Sequence, residues 1–159
     1  MDKPELISLP LYVDDRGTVH CPMDELHNKG IKRTYIVKNW SGARIRAWHG
    51  HEKADTYMHV IEGAVKIAAK PISSKNPPGV MIGLVGHIDE TKYMVKTLMA
   101  EKPEIIKIPA GWFNGAMSLT EGTKILVYST LSFNEVKDDD IRDFVSETEL
   151  LKVFRVVNR

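Results

Sequence analysis

At 159 residues the chain has the length of one ordinary domain, long enough to bury a hydrophobic core and too short for two. Apolar residues make up 43% and charged residues 27%, which excludes a disordered or fibrous chain. With 22 Lys and Arg against 21 Asp and Glu the formal net charge is +1, so no global field favours nucleic acid or an anionic membrane, and any anionic ligand has to be met by a local cluster.

The apolar runs are far too short to span a bilayer, and Met1-Asp2-Lys3-Pro4-Glu5 lacks the apolar stretch of a secretory signal. A single cysteine, Cys21, has no internal partner for a disulfide, and nothing basic beside it marks it as a nucleophile. The expectation is a cytoplasmic protein, with residues 1–159 forming a single domain.

Short apolar or alternating runs follow one another along the chain: Leu6 to Val13, Ile31 to Val37, Ala43 to Trp48, Tyr57 to Ile61, Ala64 to Ala69, Val80 to Val85, Ile105 to Ile108, Ala116 to Leu119 and Lys124 to Thr130. Between them stand turn signals at Asp15-Arg16-Gly17, Ser41-Gly42, Glu62-Gly63, Asn76-Pro77-Pro78-Gly79, Pro109-Ala110-Gly111 and Glu121-Gly122. This rhythm predicts an all-β sandwich or barrel. Lys70-Pro71 closes the fifth run, and a breaker-rich surface loop opens at Ile72-Ser73-Ser74-Lys75. One helix is expected at the C-terminal end, where Ile141, Val145, Leu150, Leu151 and Phe154 fit a period of 3.6 loosely.

The chemistry concentrates in Arg46-Ala47-Trp48-His49-Gly50-His51. Two histidines two apart on a strand project from the same face, with Ile45 and Ala47 in the same row, while Gly50 leaves the opposite face free for close packing. A His-x-His pair also begins many barrel metal sites. The later His expected after a Pro-x-Gly turn is here Asn114, however, and the carboxylate position falls on Thr56, with Asp55 out of register. Two ligands do not hold a divalent ion tightly, so the pair is read as an acid–base couple, without metal or other cofactor. A pair of hydrogen-bonded core histidines is the bland alternative.

Asp15-Arg16-Gly17, Arg46-Ala47-Trp48-His49, Ile108-Pro-Ala-Gly-Trp-Phe-Asn114-Gly115 and Val127-Tyr128-Ser129-Thr130 together resemble the dTDP-4-dehydrorhamnose 3,5-epimerases over about 130 residues. Ile31-Lys-Arg-Thr-Tyr-Ile-Val37, His49-Gly50-His51, Gly63 and Asp140-Ile-Arg-Asp143-Phe144 resemble instead the dTDP-sugar 3,4-ketoisomerases of the same cupin superfamily. The resemblance implies a cupin double-stranded β-helix, or jelly roll, with a short C-terminal helix, usually a homodimer. It implies a nucleotide-sugar substrate carrying a 4-keto-6-deoxy sugar, and proton abstraction beside the ketone in the synthesis of surface-polysaccharide precursors.

The same resemblance assigns the base to His49 and the opposite-face acid to Tyr128, with His51 beside the base as in the ketoisomerases; a one-residue change of register would put Val127 in the place of Tyr128. It gives Arg16 and Arg46 to the nucleotide or its pyrophosphate, with Arg33 and Arg44 as possible helpers, Lys53 as the nearest lysine to an enolate-stabilising position, and Asn114 as a hydrogen-bond donor to an oxyanion. Keto migration and a non-catalytic sugar-binding cupin are the alternatives. Trp48 and Trp112 read as packing residues, Tyr57 and His59 as one strand face that either extends the polar lining or lies on the outer sheet, Asp138 to Asp140 as a solvated acidic run, and Asp143 as a carboxylate that could orient a histidine.

Overall fold

The computed structural model describes residues 2–74 and 90–156. The predicted strand Val80 to Val85 and the turn at 76–79 lie outside the described residues. Among the described residues there are twelve strands: β1 (Glu5–Ser8), β2 (Tyr12–Asp14), β3 (Gly17–Val19), β4 (Arg33–Lys38), β5 (Ile45–His51), β6 (Thr56–Glu62), β7 (Ala64–Pro71), β8 (Met94–Met99), β9 (Glu104–Ile108), β10 (Trp112–Ser118), β11 (Lys124–Ser129) and β12 (Ile141–Arg142). Three short helices accompany them among the described residues, α1 (Pro22–Leu26), α2 (Phe133–Val136) and α3 (Glu147–Lys152). No described helix is long and apolar enough to cross a membrane.

Two five-stranded antiparallel sheets, in the orders β1-β9-β6-β11-β4 and β12-β5-β10-β7-β8, face each other, and β2 and β3 form a separate hairpin. Met58, Val60, Ile106, Ile125 and Val127 of the first sheet meet Val65, Ile67, Ala69 and Ala116 of the second in the layer between them. This is the cupin jelly roll. Both sheets are covered on their outer faces too. Leu9, Leu26, Tyr57, Ile105 and Tyr128 pack outside the first sheet, and Trp48, Ala68, Phe113, Met117, Val153 and Phe154 outside the second.

Most predicted runs are strands, with three instructive differences. The Leu6 to Val13 run is two strands, because Pro10 between them has no N–H for a ladder. The fifth predicted run, which is β7, continues through Lys70 to Pro71, with Lys70 wholly buried, before a single 3-10 turn at Ile72–Ser74. Of the residues expected on one helix, Ile141 belongs to β12, and Leu150 and Leu151 are exposed on α3. That helix is set by the Ser146 capping box, in which Ser146 Oγ accepts from the Glu149 N–H and Glu149 reaches back to the Ser146 N–H at 2.8 Å.

His59 shares the outer face of the first sheet with Tyr57. It is only 1% exposed, neither ring nitrogen has a hydrogen-bond partner among the described residues, and its ring meets that of His20 edge-on at 5.1 Å. Burial, helped by repulsion from His20, pushes its pKa down to about 4. The unfolded chain therefore binds a proton below the ordinary histidine value of 6.5 that the folded chain refuses until about pH 4. Stability is full above pH 6.5 and falls between those limits, by on the order of 3 kcal/mol. Urea titrations at pH 7 and pH 4.5 are expected to show that His59→Leu removes most of this loss; an unchanged pH dependence in the variant would assign the loss to other groups.

Candidate functional site

A cavity of about 660 Å³ opens between the two sheets. The first sheet contributes Arg33, Tyr35, Val37, Met58, Ile125, Val127 and Ser129 to its wall, and the second contributes Arg46, His49, His51, Asn114 and Ala116. Phe133 and Lys137 from α2 and its cap, with Asp140 and Arg142 from the segment that follows, complete the rim.

Strict alternation would put Arg46 on the opposite face of β5 from His49. Asn114 pairs with His49 and Ala116 with Arg46, so two steps along β10 match three along β5. The extra residue is a β-bulge, which re-aims the strand and brings Arg46, His49 and His51 to one cavity. Gly50 permits the tight packing behind them: a Cβ there would lie 2.6 Å from the Phe113 ring. Asn114 holds the bulge from the facing strand, its Nδ2 donating to the His49 carbonyl at 2.8 Å.

Both histidines are oriented by the segment between α2 and β12. His49 Nε2 lies 2.5 Å from Asp140 Oδ1, and both side chains are about one-third exposed. A carboxylate only accepts, so Nε2 carries hydrogen and Nδ1 is the free base. Burial pushes the His49 pKa down, the neighbouring His51 adds to this, and Asp140 opposes it, leaving the ring neutral at neutral pH. Asp140 stays below the usual carboxylate range: burial acts to raise it, but hydrogen bonds from Arg142 and the charge of His49 outweigh that.

His51 is buried, with Nδ1 donating to the Asp139 carbonyl at 2.9 Å, which leaves Nε2 as its acceptor nitrogen. The Asp139 carboxylate accepts from the backbone N–H groups of Glu52, Lys53 and Ala54. It thereby ties the loop after β5 to the same segment. The two imidazole rings lie 4.7 Å apart, edge to face.

Arg46 is held from the other end of the cavity. Its Nε donates to Asn39 Oδ1 at 2.7 Å, and the buried Asn39 donates in turn to Ser118 Oγ. The terminal nitrogens of the guanidinium remain for an anion. Past Arg46 a groove of about 410 Å³ runs on between Asn39, Trp40, Ser41 and Arg44, with Trp40 90% exposed.

The structure thus brings His49, His51, Arg46 and Asn114 together, and does not bring the other expected residues. Tyr128 is a correction: it packs outside the first sheet against Leu9, Leu26 and Tyr57, and Val127 takes the inward position. Arg16 sits on the β2–β3 turn, 90% exposed and paired with Asp14, away from the cavity. Lys53 is exposed on the loop after β5 and is not part of the cavity wall. The Asp143 carboxylate, expected to orient a histidine, pairs with Lys70 at 2.9 Å. Asp139 and Asp140 are not a solvated run, since each serves one histidine.

Tyr35 was not singled out by sequence reasoning, although alternation along β4 puts Arg33, Tyr35 and Val37 on one face. It enters the cavity from the sheet opposite His49. Its hydroxyl pKa is raised, first by burial, then lowered in part by Arg33 and raised by Asp140. The Arg33 guanidinium lies over the Tyr35 ring at 4.5 Å and faces the Phe133 ring at 5.0 Å. Among the described residues no cluster of three or more His, Cys, Asp or Glu side chains has the geometry of a metal site.

No family model matches the sequence, and no curated protein matches it. Solved structures do. A dTDP-4-dehydrorhamnose 3,5-epimerase from Bacillus anthracis, crystallised with TDP and pyrophosphate, superposes with a TM-score of 0.73 at 17% identity over 98% of this chain and 86% of that one. A sugar 3,4-ketoisomerase from Thermoanaerobacterium thermosaccharolyticum in complex with TDP gives 0.67 at 19% identity over 97% and 98%. A 3'-monoepimerase from Streptomyces bikiniensis in complex with dTDP-quinovose gives 0.67 at 13% over 89% and 69%. At these identities the shared property is the fold.

Proposed function

We propose that the chain is an epimerase or isomerase of nucleotide-activated 4-keto-6-deoxy sugars, in which His49 removes a proton from a carbon next to the C4 ketone. The observation that carries this reading is the His49–Asp140 pair at 2.5 Å inside a cavity whose other end presents Arg46. The similarity of fold to dTDP-sugar epimerases and a 3,4-ketoisomerase supports it.

His49 Nδ1 takes the proton, and the C–H electron pair moves onto the C4 oxygen to give an enolate. Asp140 stabilises the imidazolium that forms. Arg46 and the second amide hydrogen of Asn114 are the donors we assign to the anionic parts of the substrate and intermediate. The sugar lies among the histidines, and the diphosphate runs past Arg46 toward Arg44, with the base against Trp40. Only protons move, so the reaction consumes no cofactor.

Epimerisation needs an acid on the face opposite His49. We assign that role to Tyr35 in place of Tyr128. A second reading, 3,4-keto migration, is favoured by one observation: His49 and His51 present two imidazoles 4.7 Å apart on one face, as required to move a proton between adjacent carbons. Product analysis by NMR with a dTDP-4-keto-6-deoxyglucose substrate separates the two. For an epimerase, inversion at C3 or C5 is expected, and Tyr35→Phe is expected to block inversion while leaving exchange of the abstracted proton with solvent. A 3-keto product would decide for migration. No turnover of any nucleotide-linked 4-keto sugar would leave a non-catalytic binding cupin.

The remaining parts of the reading are one domain over residues 1–159, a homodimer, and a cytoplasmic place in the supply of activated deoxysugars for surface polysaccharide. The dimer is supported by the β2–β3 hairpin, where Tyr12, Val13 and Val19 stand exposed on every strand position next to Arg16. Sedimentation equilibrium is expected to give twice the chain mass. Replacing Tyr12 and Val13 with Asp is expected to give monomers, and a wild-type monomer would rule this out.

A further inference from the structure

Lys70 is a lysine with no exposed surface. Its ammonium contacts Asp143 Oδ2 at 2.9 Å and Glu149 Oε1 at 2.8 Å, and lies over the Trp48 ring at 4.8 Å. Tyr93 donates to the same Glu149 oxygen at 2.8 Å. Such a cluster is expensive to desolvate, and an apolar core of the same volume would be as stable or more so, so a specific arrangement is what it secures.

The arrangement concerns one strap of chain. Asp143 and Trp48 exchange backbone hydrogen bonds in both directions, Arg142 pairs with His49 and Ile141 with Gly50. Immediately before these, Asp140 meets His49 and Asp139 meets His51. Glu149 closes the Ser146 capping box that begins α3. The ammonium of β7 therefore grips both ends of the 143–149 stretch, and the two histidine partners hang from its near end. A β12 of two residues has too few ladder bonds to fix that register alone.

We infer that Lys70 is a positioning residue, whose ion pairs with Asp143 and Glu149 set the register of the strap and so hold Asp140 against His49. This rests on the assignment of His49 as the base for its functional meaning, but the geometry can be tested without substrate. In wild type, Asp140→Asn is expected to lower the His49 titration midpoint, followed by NMR of labelled imidazole. The test background is K70M/D143N/E149Q, which removes all three charges together. There the His49 midpoint is expected to start lower, and Asp140→Asn is expected to shift it no further. Asp143→Asn alone breaks the pair at the near end of the strap and is expected to reduce the shift; an undiminished shift counts against the inference.

A merely structural role would lower the melting temperature of the triple variant and leave the Asp140-dependent shift at its wild-type size; that result overturns the inference. If the triple variant does not fold, Lys70→Arg and Glu149→Gln are compared in its place. Arginine, able to keep both pairs, is expected to retain the shift and Glu149→Gln to reduce it, and an equal shift in both overturns the inference. Failure of turnover with every nucleotide sugar, with the NMR coupling present, would count against the proposed function alone.

Discussion

His49→Ala is expected to lower kcat by about 10²- to 10⁴-fold, the range that a positioned general base contributes. KM is expected to change little, because Arg46 and the groove beyond it hold the nucleotide end at a distance from the reacting carbon. The pH profile sharpens the test. His49 must be neutral to accept a proton, and burial with the charge of His51 puts its pKa below the ordinary histidine value, so kcat/KM is full at neutral pH and falls as the pH drops through that lowered pKa. Asp140 opposes the lowering, so Asp140→Asn is expected to move the acid limb to still lower pH while reducing the plateau. A profile that moved to higher pH in Asp140→Asn, or an unchanged kcat in His49→Ala, would remove this histidine from the chemistry.

Lys70→Met is expected to be the most destabilising single substitution of a charged residue, by about 3–5 kcal/mol in a denaturant titration. Methionine fills much the same volume. The loss arises because Asp143 and Glu149, both 1% exposed at the side chain, lose the ammonium they share. The prediction has a specific companion: the triply neutral K70M/D143N/E149Q is expected to recover most of that stability. A small effect of Lys70→Met, or no recovery in the triple variant, would show that the carboxylates find other partners and that the cluster is not a closed unit.

How far the fold was legible can be argued from single positions. Turn residues with strong backbone preferences, such as Gly63 and Gly111, both at positive φ, marked strand ends correctly because the preference is local. β8 was missed because Met94–Met99 is an edge strand burying only Leu98, so it shows little alternation. Tyr128 was assigned to the wrong face for a physical reason. β11 is covered on both sides, Leu126 and Tyr128 being as apolar as Ile125 and Val127, and alternation cannot say which set faces the cavity.

The site was half legible. The motif around His49 announced the base and its neighbour, and Pro109-Ala110-Gly111 led to Asn114. Arg46 reaches the same cavity only because of the β5 bulge, which a period-two reading does not contain. Asp139 and Asp140 looked like a solvated run because nothing local distinguishes an acid that meets solvent from one that meets a histidine about 90 residues earlier in the chain. Lys70 beside Pro71 read as a strand end for the same reason: its two carboxylates come from 73 and 79 residues away.

The most direct test of proton abstraction by His49 is incorporation of solvent deuterium. Wild-type protein is incubated in D2O with dTDP-4-keto-6-deoxyglucose, and with the GDP, UDP and CDP counterparts, and C3 and C5 are read by NMR. Deuterium is expected at C3 or C5 of at least one of these sugars with wild type and to be lost with His49→Ala. Absence of deuterium from both carbons in every sugar, or equal incorporation by wild type and His49→Ala, would contradict it.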